Sequence, residues 1–256
     1  MAKGRTNHNP SIRERAYAHI QRKIASGELR PGDAVSELAL SKELGTSRTP
    51  IREAIGQLVS EGLLEQVRNR GAVVVELTRQ DIIDLYELRE ALEVYAVAKV
   101  AHETASRSDL ERLTSLTNEI LVLRDELRQS GESVLNDVQM HRFVTCDLSF
   151  HTLLIRMAAN ARITKVLNET RLLMRIFSIH RQGHNAALLE GIHRFHASVI
   201  RAVSRRDPEA AAKALSEHIK TSQRERLEDF DHWEREASLR ESLPAFLDTH
   251  ATTGSR

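Results

Sequence analysis

The 256-residue sequence predicts a mainly α protein: an N-terminal winged helix-turn-helix of three helices and a β-hairpin, followed by an all-α helical bundle. Three observations carry that expectation. Short helical stretches punctuated by Gly27, Gly45 and Gly62 fill the first region, which closes on the β-branched run Ala72–Val75. After Glu76 the chain is helical in period, with Pro208 and Pro244 its only prolines. Composition changes at the same place: residues 1–76 hold 12 Lys+Arg against 9 Asp+Glu, the remainder 25 against 27, and ten of the 12 histidines follow the division.

That length fits two domains, and 41% hydrophobic residues are enough for a core in each. The boundaries expected are residues 10–76 for the winged helix, 77–235 for the bundle, and 236–256 for a partly disordered tail. A single cysteine, Cys146, excludes an intramolecular disulfide and a multi-cysteine zinc site. No apolar run approaches the ~18 residues of a membrane span. The basic start Met1–Arg5 has no apolar stretch behind it, so a cytoplasmic location and no membrane partner are expected. A net charge of +1 gives no global sign of a nucleic-acid partner, so placement of charge has to decide.

The elements of the first region are signed in order. Ser11 and Glu14 spell a capping box, and Ile12, Ala16, His19, Ile20 and Ile24 run down one face to Gly27. Arg30-Pro31-Gly32-Asp33 is a turn. A short helix is expected from Ser36 to Leu44. A third begins at Ser47–Thr49, tolerates Pro50 in its first turn, and carries the stripe Ile51, Ala54, Ile55, Leu58 and Val59. Leu63–Val67, a turn at Arg68–Gly71 and Ala72–Val75 read as the hairpin.

Ser47, Arg48, Thr49 and Arg52 stand at the start of the third helix, with Arg48 and Arg52 four apart on one face. A helix N-terminus favours phosphate, and arginine reads guanine through O6 and N7 in the major groove. Arg68 and Arg70 at the hairpin tip suit the backbone or the minor groove. Singly, each arginine is as well explained as a solvated surface charge; together with the glycine stops and the hairpin they point to double-stranded DNA.

Gly27-Glu28-Leu29-Arg30-Pro31-Gly32-Asp33, Leu44 through Ala54 (LGTSRTPIREA), Glu61-Gly62-Leu63-Leu64 and Arg70-Gly71-Ala72 resemble the DNA-binding domain of GntR-type bacterial transcription regulators. The resemblance implies that Arg48 and Arg52 read the operator, that Thr49 supports them, and that Gly71 of the wing enters the minor groove. Some members carry a further DNA-contacting arginine at the start of the second helix. Here that stretch is Ser36-Glu37-Leu38-Ala39, so no such contact is carried over.

Thr78–Asp81 reads as a capping box opening a helix to about Ala101, with Ile82, Leu85, Leu88, Leu92 and Tyr95 on its apolar face. Further helices are expected at 108–129, 137–159, 163–181, 188–204 and from Pro208 to about Arg235. Asp147 and His151, at i and i+4, share a face with Phe143, Phe150 and Leu154. His196 lies among Ile192, Val199, Ile200 and Val203, and His218 continues Ala211, Ala214 and Leu215. Ionisable groups on apolar faces need partners, and one Asp with three His converging in a core could satisfy one another through a divalent metal. A lone core histidine bonded to a carbonyl is the commoner case for any one of them. Glu190-x-x-His193 spells one half of a di-iron motif without a second half.

Asp147-x-x-Phe150-His151, His196 and His218 resemble the FadR C-terminal (FCD) ligand-binding domain, and Leu85 to Glu93 resembles its opening helix. The resemblance implies a metal-containing branch in which Asp147, His151, His196 and His218 hold the ion. Zinc is expected, with nickel, manganese or iron as alternatives. It also implies a small carboxylate effector, for which Arg89 and Arg175 are candidate clamps. A structurally paired arginine explains both equally well. The expected function is a ligand-responsive regulator, a repressor acting as a homodimer on a pseudo-palindromic operator. The competing reading is a metal-dependent hydrolase fused to a DNA-binding module.

Overall fold

The computed structural model describes residues 10–76, 78–103, 105–177 and 183–242. They fall into two compact units, the N-terminal residues through Thr78 together with α7 (Ala161–Phe177) from Lys165 onward, and the remainder.

In the first unit, the Ser11 hydroxyl accepts from the Glu14 N–H and the Glu14 carboxylate accepts from the Ser11 N–H, which starts α1 (Ile12–Ala25) as expected. β1 (Ala34–Val35), α2 (Glu37–Glu43), α3 (Arg48–Ser60), β2 (Leu64–Val67) and β3 (Gly71–Val74) follow. The strands form an antiparallel sheet in the order β1-β3-β2, with Ala34 opposite Val73 and Val67 opposite Gly71. β1 was not legible in the sequence because two residues carry no periodicity.

Ala16, Ile20 and Ile24 of α1 meet Ile51, Ala54, Ile55 and Leu58 of α3, with Leu64, Ala72 and Val74 of the hairpin closing the core. Leu173 of α7 packs against the same core. The buried face of α1 is narrower than its sequence stripe: Ile12 is exposed, and His19 turns to the Glu43 carboxylate.

The second unit contains α4 (Arg79–His102), α5 (Arg107–Ser130), α6 (Asp137–Met157), α8 (Ala186–Ser204) and α9 (Pro208–Ser242), with the first turn of α7 (Ala161–Phe177). Ser106, Asn136 and Asn185 cap α5, α6 and α8 by accepting backbone N–H groups. Ile120, Leu123, Leu127, Phe143, Cys146, Leu189 and Ile192 make one core between α5, α6 and α8. On the α5–α6 seam, Arg142 bonds both Glu119 and Glu126.

Two expectations need correction. Of the apolar face expected on α4, Ile82 is buried and Leu85 and Leu92 are half-buried, but Leu88 and Tyr95 are exposed. Tyr86, Arg89, Glu93, Ala96, Val97 and Val100 turn inward instead, because Arg89 and Glu93 neutralise each other there. α9 also runs to Ser242, beyond the expected end at Arg235, so the first residues assigned to the tail are helical backbone. Residues 243–256, and the expected end of α7 beyond Phe177, lie outside the described residues. Among the described residues, no helix is long and apolar enough to cross a membrane.

Candidate functional site

Helical spacing brings Asp147 and His151 of α6 to one point, where α8 contributes His196 and α9 contributes His218. One ligand atom from each lies within 4.8 Å of all the others. The separations are narrow: His196 Nε2 to His218 Nε2 3.2 Å, His218 Nε2 to His151 Nε2 3.3 Å, and His196 Nε2 to Asp147 Oδ1 3.5 Å. Nitrogen ligands about 2.0–2.1 Å from a tetrahedral ion would stand roughly 3.3–3.4 Å apart, close to the imidazole spacing seen here. Phe150 stacks on the His196 ring at 3.8 Å and His151 lies parallel to His218, so packing holds the rings in this arrangement.

The hydrogen bonds and burial of these rings bear on whether the set could hold an ion. His151 Nδ1 lies 2.7 Å from Glu93 Oε2; the carboxylate accepts from Nδ1–H, which leaves Nε2 turned to the other rings. Burial, reinforced by the neighbouring imidazoles, pushes His196 and His218 well below the ordinary histidine range and keeps both neutral. Three Nε2 atoms then face one another and the Asp147 carboxylate, and buried His196 Nδ1 has no hydrogen-bond partner. A divalent cation could be held by the three Nε2 atoms together with Asp147. The donor set fits the group. The three histidines are buried, whereas the Asp147 side chain is 29% exposed, so the cluster opens on its carboxylate side.

Glu93 is the residue that sequence reading missed. It is buried, binds His151, and accepts from Arg89 Nε at 2.8 Å through its other oxygen. Carboxylates placed behind metal-ligating histidines fix the tautomer and the ring plane. The i, i+4 pair Arg89/Glu93 was the available signal, since Ala96, Val97 and Val100 continue its face. Arg89 itself is buried, with its guanidinium 5.7 Å from the Tyr86 ring centroid. The backbone of Arg175 belongs to α7, but its side chain lies outside the described residues. Of the other histidines, His184 packs edge-on to Phe143. Glu190 of the isolated Glu-x-x-His is taken by Arg124 and Arg128.

The other surface is the start of α3. Ser47 occupies the N-cap position with no side-chain capping bond, unlike Ser11, Ser36 and Ser106 at other helix starts. The residue three beyond Ser47 is Pro50, which has no N–H to donate, so the exposed Ser47 hydroxyl has no N3 donor to accept from and stands beside the Arg48 and Thr49 N–H groups of the first turn. Arg48, Thr49 and Arg52 are exposed on the same turn. Arg52 is bound edge-on by Glu37 of α2, with Nε to Oε1 2.9 Å and Nη2 to Oε2 2.8 Å. At the hairpin tip Arg68 and Arg70 are exposed around Asn69, whose φ is 66°. Gly71 follows at φ 79° with open space where a Cβ would stand, so backbone conformation, not crowding, requires glycine.

These two surfaces have counterparts in known proteins. Residues 12–74 match the family of bacterial regulatory proteins called gntR, and residues 84–221 match the FCD domain, which alone spans more than half of the chain. An uncharacterised HTH-type transcriptional regulator of Bacillus subtilis, YdhC, is 28% identical over 79% of this chain and 85% of its own. A probable D-xylose utilisation operon transcriptional repressor of Paenarthrobacter nicotinovorans is 28% identical over 78% of this chain and 82% of its own. In structure, E. coli McbR/YncC superposes with a TM-score of 0.70 at 19% identity, covering 87% of this chain and all of that one, which bears on the fold. The hydrolase reading gives way here, because the family and the relatives are transcriptional regulators. The chain belongs to the GntR family of DNA-binding transcriptional regulators, with an FCD domain as its C-terminal bundle.

Proposed function

We propose that the protein is a metal-dependent, effector-responsive repressor that acts as a homodimer on a pseudo-palindromic operator. One observation carries the effector half: three buried imidazole Nε2 atoms and one part-exposed carboxylate converge on a single point that opens on one side. Asp147, His151, His196 and His218 would hold the ion, with zinc the expected occupant and nickel, manganese or iron the alternatives. When bound, the ion supplies a fixed positive charge that a small carboxylate can meet. Glu93 keeps His151 in the ligating tautomer. Arg89, its Nε edge held by Glu93, has its terminal nitrogens left as a carboxylate clamp, and Arg175 is the second candidate.

On the DNA side, Arg48 and Arg52 would read bases and Thr49 would support them. Ser47, Arg68 and Arg70 would hold phosphates or the minor groove, with Gly71 letting the wing approach closely. Repression is supported by the relative named as a repressor. Elemental analysis and a thermal-shift series with small metabolic acids test this reading. It expects about one divalent ion per chain and stabilisation by an acid only in the metal-loaded protein. Metal-free protein with no response to added zinc or nickel would refute the metal site.

A further inference from the structure

The Arg52–Glu37 pair has no evident purpose in stability. The Arg52 side chain is 70% exposed and Glu37 32%, and exposed ion pairs contribute little to folding. Its geometry does have a consequence for recognition. A guanidinium offers two forked edges to a planar acceptor, the Nε/Nη2 edge and the Nη1/Nη2 edge. Glu37 takes the first through two bonds, so the second is the only fork left.

Glu37 is itself fixed. It is the first residue of α2, whose cap Ser36 accepts from the Ala39 N–H, and its carboxylate sits at the positive end of that helix. Both arginines of the α3 start act on it: Arg52 through its hydrogen bonds and Arg48 at longer range hold the carboxyl below its ordinary range, so it stays ionised.

We propose that Glu37 is a specificity-determining positioning residue, which holds Arg52 so that only its Nη1/Nη2 fork is presented to DNA. The inference rests on the reading of Arg52 as a base-contacting residue. Two parallel N–H donors in a fixed plane match guanine O6 and N7. The carboxylate beside them repels a phosphate, which steers Arg52 away from the backbone and towards the base edge. Fixing the plane before binding also removes ordering cost that a free arginine would meet on the DNA. Glu37 thus converts a flexible cation into a guanine reader.

The test uses full-length protein and duplexes selected by the wild type from a randomised pool. Three proteins are compared, wild type, Glu37→Gln and Arg52→Ala, on the selected duplex, on single-base variants of it, and on an unrelated duplex. Glu37→Gln is expected to lose about ten-fold or more in discrimination at one guanine per half-site, the same guanine that Arg52→Ala affects. Binding to the unrelated duplex holds or strengthens, because a negative charge has gone, and thermal melting is unchanged. In the Arg52→Ala background, Glu37→Gln changes no base preference.

If Arg52→Ala keeps full discrimination, the base-contact reading itself fails. If Arg52→Ala loses it while Glu37→Gln keeps it, or weakens all duplexes equally, the positioning role fails on its own.

Discussion

Glu93 Oε2 accepts a hydrogen bond from His151 Nδ1 at 2.7 Å, and this bond connects the opening helix of the bundle to the centre of the candidate metal site. It sets which nitrogen of His151 is free to ligate. The same carboxylate balances Arg89, so one buried side chain serves both a ligand and a cation.

Glu93→Gln should therefore weaken metal binding without abolishing it. Removal of such a supporting carboxylate typically costs about 10–100-fold in affinity. Competition against a chromophoric chelator measures it. Glu93→Ala should do more, since it also leaves Arg89 buried without its partner, at a cost of about 3–5 kcal/mol in folding. Unchanged affinity in Glu93→Gln would remove Glu93 from the site.

His196→Ala combined with His218→Ala should bring the metal content from about one ion per chain to none, read by elemental analysis. Loss of ligands also removes whatever folding stability the ion provides. Retained metal would locate it elsewhere in the chain.

Arg48→Ala and Arg52→Ala should each sharply weaken specific operator binding while leaving the melting temperature in place, because both side chains are exposed and neither helps build the core. Wild-type affinity and footprint in either variant would move the recognition surface away from α3.

The α5–α6 seam should show a pH signature. Hydrogen bonds from Arg142, and then from Gln139, hold the Glu126 carboxyl below its ordinary value of 4.5. A depressed carboxyl contributes stability that is fully present above 4.5 and is lost as pH falls through the lower folded value. Arg142→Met should thus cost about 1 kcal/mol or less at pH 7. Its disadvantage relative to wild type should shrink below pH 4, as followed by urea unfolding across pH. A gap that widens on acidification would contradict the assignment.

The site was legible where its chemistry followed local periodicity. Asp147 and His151 are a helical pair, and Arg48 and Arg52 share one face, so spacing alone placed each pair together. His196 and His218 could be picked out as polar residues on apolar faces, but only resemblance tied them to Asp147. Glu93 was hidden because a charged residue on a long helix reads as solvated until another helix supplies its partner, and His151 lies 58 positions away. That same blind spot misplaced the inner face of α4: Leu88 and Tyr95 were the obvious core residues by hydrophobicity, yet a neutralised Arg–Glu pair displaced them. Glu37 was noticed only as the absence of an arginine. Its bond to Arg52 spans two helices and has no signature along the chain.

The central claim is that occupancy of the Asp147/His151/His196/His218 site governs operator affinity. It is tested most directly by titrating metal-loaded protein onto its selected duplex with and without an acid already shown to stabilise it. The account predicts a shift in affinity of about 5–150-fold, the usual range of coupling between sites, and no shift in the His196→Ala, His218→Ala protein. Equal operator affinity at saturating acid, with that acid demonstrably bound, would contradict it.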